Sequence, residues 1–541
     1  MGRFVRVVLG MCLAVGVGSA SRAQETTGSI AGTVVDKSGG AVVNATVTIQ
    51  NADMNDAVVR VATTNSSGQF VGPFLPIGHY TLRAEATGFK TTERRGITLN
   101  VNDHLTVDLM LEPGTVSEKV TVEADVTPVE LETATASGLI TGTEIRELAI
   151  NTRNYEQLVA LTPGVSTGLA SDQLYVGVSN PVGTSNQINF SVNGGRPTQN
   201  NWSVDGADNV DRGANLTLLT YPSVDSIDEF RVVRGQYDAE YGRSSSGQIN
   251  VITRSGTGHF HGDLYEFFRN DDLSANSFFN NRNGIGRPPL RYNDFGGTVG
   301  GPIFIPGHYN TDKKKTFFFF SEEARRVITY TSFDPILPSK NLINGNFAVP
   351  VCVAVDPNTG NCTQQTQQIS PSTFNSAAAA YIKDIYSKLP LPALENPDGT
   401  GTDVPFVGRN TFNLHQEIVK VDHIFSPKLA VMGRFENDSI PTQEPGGLFT
   451  GSALPGVATT STNSPGKQFT VRVTSTFTPQ MVNEAGYNYS YGAVISHPTG
   501  LGAAQNSPDV ISAITLPFTA QVPRVPNLSF NDSEGLFGFG S

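Results

Sequence analysis

The sequence predicts a mainly β protein: a small N-terminal β-sandwich, a mixed middle domain, and the strands of a transmembrane antiparallel β-barrel. Three observations carry this. Runs of β-branched and aromatic residues at strand length are punctuated throughout by Gly, Asn, Asp and Pro. The chain begins with an export signal but has no later apolar stretch long enough for a spanning helix. Its C-terminal half contains segments of about 10 residues with apolar residues on one face and charges on the other. At 541 residues, three or more domains are expected.

The first 23 residues read as a secretory signal. Arg3 and Arg6 precede an apolar stretch from Val7 to about Val17, and small residues then lead to Ser21-Arg22-Ala23. A retained anchor would need roughly 18 apolar residues, and Leu9-Gly10-Met11 before Cys12 matches a lipoprotein signal poorly. Removing Arg3, Arg6 and Arg22 takes the basic residues from 37 to 34 against 49 acidic ones, a net charge of −15. That balance argues against nucleic acid as a partner, which would need a basic face.

Residues 24–113 predict the sandwich. GSIAGTVVDKSGGAVVNATVTIQ (Gly28 to Gln50) reads as strand, Gly-Gly turn, strand, and a hairpin-rich stretch follows from Thr63 to Phe89. G-x-V-x-D-x-x-G from Gly32, S-G-x-F from Ser67, L-P-x-G-x-Y from Leu75 and the closing Gly88-Phe89 resemble the carboxypeptidase regulatory-like domain. That resemblance implies a carbohydrate-binding-like fold without peptidase chemistry. Tyr80 and Phe70 are expected in the core rather than on a sugar platform. Residues 114–135 follow as a linker. Its short extended run Lys119-Val120-Thr121-Val122-Glu123-Ala124 offers unpaired backbone groups that another sheet can capture; an ordinary last strand is the alternative.

Residues 136–256 predict the middle, α+β domain. In RVVRGQYDAEYGRSSSGQINVITRSG (Arg231 to Gly256) the glycines do not stand between a strand and a helix in either phosphate-loop spacing. Ser244 to Ser246 lack the G-x-S-x-G frame of a nucleophile. The stretch reads instead as a strand from Glu229 to Val233, a Gly-rich link, and a strand from Gln248 to Arg254. It resembles the closing segment of the plug domain of TonB-dependent outer-membrane receptors. The matching positions are Ile227, Glu229, Val232, Gly235, Tyr241, Gly242, Gly247, Ile249, Asn250, Thr253 and Arg254. One departure is Gln248 where a second Gly is usual. INFSVNGGRPTQNNWSVDGADN, from Ile188, matches the plug's N-G-x-R and D-G elements at Asn193, Gly194, Arg196, Asp205 and Gly206. TEIRELAINTRNYEQLVALTPGV resembles its helical lead-in. With the regulatory-like domain in front, the resemblance is to the Oar-like subfamily, and it makes Lys119 to Ala124 the candidate TonB box.

Residues 257–541 predict barrel strands. Val419, Val421 and Phe425 fall on one face and Lys420 and Asp422 on the other; after a Ser426-Pro427-Lys428 turn, Leu429, Val431, Gly433 and Phe435 alternate with Met432, Arg434 and Glu436. A second copy opposes Phe469, Val471, Val473 and Phe477 to Thr470, Arg472, Thr474 and Thr476. Beyond its turn Tyr487, Tyr489 and Tyr491 share a face, as an aromatic girdle would. A soluble sandwich also alternates, but charges facing its core would be costly. The segment from Thr331 to about Phe412 reads as a long extracellular loop region with a helix at SAAAAYIKDIYSKLP. In an exported protein its Cys352 and Cys362 are expected to pair as a local disulfide.

No triad, zinc motif or carboxylate pair stands out, so no catalytic residue, metal or cofactor is expected. His259 and His261 lack a third ligand, and Asp205, Asp208 and Asp211 lack calcium-loop spacing. The resemblance implies an outer-membrane transporter, its N-terminal domain in the periplasm. Its expected partners are a TonB-type inner-membrane energising complex, outer-membrane lipid, and an extracellular ligand of the glycan, siderophore or peptide class. The rival reading is an adhesin that binds polymer without transport. Barrels of this family have 22 strands, and the roughly 285 residues after Gly256 supply about half of them at about 10 residues per strand. The chain also ends in SEGLFGFGS rather than an aromatic strand. An incomplete barrel is therefore expected.

Overall fold

A computed structural model of the chain describes residues 26–541, apart from 116–118, 124–134, 151–152, 168–189, 212, 214, 216, 238–240, 243, 283, 285, 334, 395, 398–400, 446–453, 455, 480, 516–524 and 527–541. The signal segment 1–23, Ala124, Ile188 and the closing SEGLFGFGS lie outside the described residues.

The N-terminal domain contains β1 (Gly28–Asp36), β2 (Thr46–Asn51), β3 (Ala57–Thr63), β4 (Gln69–Leu75), β5 (Gly78–Glu85), β6 (Thr91–Leu99), β7 (His104–Thr106) and β8 (Leu109–Leu111). β4, β1, β7 and β8 form one sheet and β3-β2-β5-β6 the other, which β9 (Lys119–Glu123) extends. Alternation places Ile30 and Val34 of the first sheet against Val47, Ile49 and Leu82 of the second in one core. Phe70 and Tyr80 are both buried there, and the Tyr80 hydroxyl donates to the Pro76 carbonyl at 2.6 Å. Gly68 turns the chain into β4 with a φ of +74°, and a Cβ there would come within 2.7 Å of the Val34 carbonyl.

The middle domain is built on β10 (Ala136–Thr141), β11 (Val165–Thr167), β12 (Phe190–Val192), β13 (Asn201–Val204), β14 (Ala207–Asp208), β15 (Ile227–Gly235) and β16 (Gln248–Thr253). Its main sheet runs β10-β15-β16-β13-β14, with β11 and β12 as a separate pair. The fully buried β16 reads QINVIT, and Trp202 packs edge-on against Tyr155 at 6.3 Å in the same core. The lead-in, expected to be helical from its resemblance, divides into a helix at Gly142–Glu147 and a 3₁₀ turn at Tyr155–Leu161. Asn154 causes the division by capping the second piece, its side chain accepting from the Glu156 amide. The first piece starts in a capping box between Thr141 and Glu144. Thr141→Ala is expected to cost about 1 kcal/mol, measurable as faster amide exchange at residues 142–145.

A ten-stranded antiparallel sheet follows. Its long strands are β17 (His261–Asn270), β18 (Leu290–Pro302) and β19 (Thr316–Phe333). The loop region after them holds β20 (Ile336–Leu337), the hairpin β21 (Asn346–Val355) and β22 (Cys362–Gln368), and β23 (Thr402–Asp403). The wall resumes with β24 (Phe406–Ser426), β25 (Leu429–Ser439), β28 (Gly466–Thr478) and β29 (Met481–Gly492), with β26 (Thr442–Glu444), β27 (Thr460–Asn463) and β30 (Ile495–Pro498) at one end. Exposure is inverted relative to a soluble sheet. Val419, Phe425, Phe435, Phe469, Phe477 and Tyr487 are exposed, while Lys420, Arg434, Glu436 and Thr470 are buried. That is the pattern of a wall whose outer face meets lipid. Among the described residues no helix is long and apolar enough to cross a membrane, and the sheet does not close, β17 and β29 being its edges.

β19 and β24, at 18 and 21 residues, exceed the roughly 9–11 that span a bilayer. Beyond their far ends the loops share a core of Leu337, Tyr381, Ile385, Leu454, Val457 and Val510. A helix at Ser376–Asp384 lies within it, inside the stretch predicted to be helical. Cys352 and Cys362 are bonded across the β21–β22 hairpin, with Cα atoms 5.8 Å apart.

Candidate functional site

The candidate site is the seam where the middle domain meets the inner face of the sheet. Two dipeptides set its geometry. Asp205 (φ 45°) and Gly206 (φ 78°) form the two-residue turn between β13 and β14, and Asn193 (φ 49°) and Gly194 (φ 79°) turn the chain after β12. Both φ angles positive is what a type I′ turn requires, and Asn-Gly and Asp-Gly are the pairs that tolerate it best. The D-G turn puts a carboxylate at a hairpin tip.

That tip is held by the wall. The Asp205 carboxylate accepts from the Thr253 amide at 3.1 Å and its hydroxyl at 2.5 Å. Lys420 Nζ lies 3.3 Å and Arg434 Nε 3.2 Å from it, and Arg472 donates to the Asp205 carbonyl at 3.0 Å. Lys420 also donates to the Thr253 carbonyl at 2.8 Å, and Arg434 to the Val204 carbonyl and Gln468. Asn488 reaches the Gly206 carbonyl at 3.1 Å and Ser490 that of Asp208 at 2.8 Å. The hairpin is thus gripped from β24, β25, β28 and β29. Burial alone would push the Asp205 carboxyl up, but the charges of Lys420 and Arg434 and the Thr253 hydrogen bonds outweigh it and hold the group below its ordinary range.

A second clasp lies nearer β17. Arg153 pairs with Asp225 within the domain, approaches Asp294 of the wall at 3.6 Å, and stacks 3.9 Å from the Phe267 ring centre. Arg325 pairs with Asp294 at 2.7 Å and Glu323 at 3.0 Å. Arg254 bonds the Asp225 carbonyl at 3.2 Å and approaches Asp263 at 3.4 Å.

The remaining motif residues have other settings. Asn250 accepts from Ser203 within the sheet. Gly247 packs beneath β12, where a Cβ would meet Val192 at 2.7 Å. Asn193 donates to the Arg234 carbonyl. Gly242 accepts from Gln248, and Tyr241 meets Tyr237 edge-on. Gly235 ends β15, and Arg196 is exposed. Glu229 points the other way, to the N-terminal domain, accepting from the Val101 amide beside an Arg231–Asp103 ion pair. Lys119 to Glu123 lie along β6 of that domain as β9. The seam's cations and the Asp103 contact carry no local sequence signal naming their partners: alternation turns Lys420 inward, but Asp205 is 215 residues away.

A wall with lipid-facing apolar residues, and a separate α+β domain bonded to its inner face, define a plugged outer-membrane β-barrel protein. Comparison with known proteins agrees: residues 252–541 match the outer membrane beta barrel domain, 29–112 the carboxypeptidase regulatory-like domain and 130–248 the TonB-dependent receptor plug domain. The chain belongs to the Oar-like TonB-dependent receptors of the outer membrane. It is 30% identical over 329 residues to the TonB-dependent transporter Oar of Myxococcus xanthus, covering 57% of this chain and 28% of that one. Among solved structures it is similar to the outer membrane transporter YddB of Escherichia coli (11% identity, TM-score 0.39, covering 65% of this chain and 38% of that one). It is also similar to the ferric enterobactin receptor PfeA of Pseudomonas aeruginosa (11% identity, TM-score 0.37, covering 66% and 41%). The chain therefore spans well under half the length of each.

Proposed function

We propose that this chain acts as a receptor and transporter that passes an extracellular ligand across the outer membrane, driven by a TonB-type complex of the inner membrane. The observation that carries the reading is the hairpin tip at Asp205, gripped by Lys420, Arg434 and Arg472 of the wall. A domain bonded in this way blocks the space inside the wall and has to be displaced by work. The outer membrane has no nucleotide supply, so that work must arrive from the periplasmic side. Lys119 to Ala124 is the segment through which we read the pull as arriving, and the N-terminal domain then lies in the periplasm. The ligand is of the glycan, siderophore or peptide class, met first by the extracellular loops around Leu337 and Tyr381. The chain does no chemistry of its own in this reading.

Deleting Lys119 to Ala124 tests it. The amount of protein in the outer membrane should stay unchanged, while binding of a purified periplasmic domain of the TonB-type protein should fall by about tenfold or more, at least 1.4 kcal/mol. Uptake across a panel of ferric siderophores, oligosaccharides and peptides should fall with it. Binding that survives the deletion would remove the segment from the mechanism.

A further inference from the structure

Among the described residues, the strand Lys119–Glu123 is bonded along one edge and has no strand on the other. It runs parallel to β6 with Thr91 opposite Lys119, Thr92 opposite Val120, Glu93 opposite Thr121, Arg94 opposite Val122 and Arg95 opposite Glu123. Among the described residues β6 is its only strand neighbour, so β9 is the edge of a five-stranded sheet. Successive residues of a strand turn their N–H and C=O groups to opposite edges, so the groups that do not face β6 face outward. The chain leading to β9 is already fastened to the same domain. Lys90 donates its amide to the Glu112 carbonyl at 2.8 Å, and Gly114 donates to that of Gly88 at 3.1 Å. Phe89 and Pro113 form a bridge between these contacts.

The domain that holds β9 is in turn fixed to the plug. Asp103 pairs with Arg231 of β15, both nearly fully buried, and the Val101 amide donates to Glu229. A segment lying free in solvent would have to be ordered as a partner seized it, at a cost in backbone entropy for every residue fixed. A segment already laid out as a strand has met that cost.

We infer that the N-terminal domain stores residues 119–123 as a ready-made edge strand whose outer edge takes one extended strand of a periplasmic partner. The partner's strand becomes the sixth of this sheet, and the N-terminal domain is part of what the partner grips. The identity of that partner as the energising complex rests on the function proposed above; the storage of the strand does not.

The test uses the full chain in the outer membrane with Thr92→Cys and Val120→Cys introduced together. A second pair, Glu93→Cys with Thr121→Cys, repeats the measurement in case the first perturbs folding. Mild oxidation should cross-link each pair. The cross-linked chain should bind the purified periplasmic TonB-type domain within about threefold of the reduced chain. Absence of a cross-link in both pairs would overturn the storage of the strand. A cross-link that abolishes binding would overturn the open-edge geometry, because the strand would then have to leave the domain to be captured. A cross-link with no binding in either the oxidised or the reduced chain upholds storage and removes the proposed function instead.

Discussion

Asp205→Asn is expected to weaken the attachment of the plug hairpin to the wall by about 3–5 kcal/mol, the range for removing one partner of a buried ion pair. The expectation comes from what is left behind. Lys420 and Arg434 are almost fully buried, and each has Asp205 as a counter-ion. Arg434 keeps Glu436 at 2.6 Å, whereas Lys420 loses its direct carboxylate contact and keeps the Thr253 carbonyl and the more distant charges of Asp228 and Asp422. The amide of Asn fits the same turn, since Asn also accepts a positive φ, so the hairpin itself should persist. The measurement is amide exchange at residues 201–208 in the membrane-embedded chain, which should accelerate while residues of the N-terminal core do not. Adding Lys420→Met should cost less than the sum of the two single variants, because the Asp205–Lys420 contact is lost only once. Exchange unchanged in the single variant would mean that the grip is made by the backbone contacts of Arg472, Asn488 and Ser490 instead. The pH dependence has a definite sign. A carboxyl whose folded-state value lies below its ordinary 3.8 contributes stability that is complete above that value and lost as pH falls through the lowered one. Asp205 should therefore hold the plug unchanged across neutral and mildly acidic pH and release it only below about pH 4.

How much of this was legible in the sequence depends on the range of the interaction. Asp205-Gly206 and Asn193-Gly194 are readable because turn chemistry is local: two adjacent residues with positive φ leave few residue types to choose from. The wall is readable because alternation is local too, and the inward placement of Lys420, Arg434 and Arg472 follows from period two alone. What those cations meet is not readable, since the Arg472 contact to the Asp205 carbonyl joins residues 267 apart in the chain. The lead-in shows a different failure. Its resemblance to the plug's lead-in implies helix, but Asn154 offers its side chain to the Glu156 amide and Arg153 takes a positive φ, so the chain breaks there. Lys119 to Glu123 could be seen as extended from composition, whereas its docking on β6 depends on the whole N-terminal sheet being in place.

The junction between the N-terminal domain and the plug should lose stability as pH rises from about 4.5 to about 8, and Glu229→Gln should abolish that loss. Burial is the main reason. Glu229 is 7% exposed, and desolvation pushes its carboxyl up to about 8, with the Val101 amide and Arg231 opposing and Asp228 and Asp103 reinforcing. A carboxyl raised in this way binds its proton more tightly folded than unfolded. Between its ordinary 4.5 and 8 the folded state carries the extra proton, so stability falls with rising pH across that window and is flat on either side. Each unit is about 1.4 kcal/mol at most, so the whole window amounts to a few kcal/mol. Glutamine keeps an oxygen that accepts from the Val101 amide and carries no charge at any pH. The variant and the parent should therefore match near pH 4.5 and diverge steadily above it, with the variant about 2–4 kcal/mol more stable at pH 8. Exchange at residues 97–105, corrected for the intrinsic pH dependence of amide exchange, reads this junction directly. Parent protection that rises between pH 5 and 8 would show instead that Arg231 holds Glu229 ionised, and that a four-membered charge cluster of Asp103, Arg231, Glu229 and Asp228 joins the two domains.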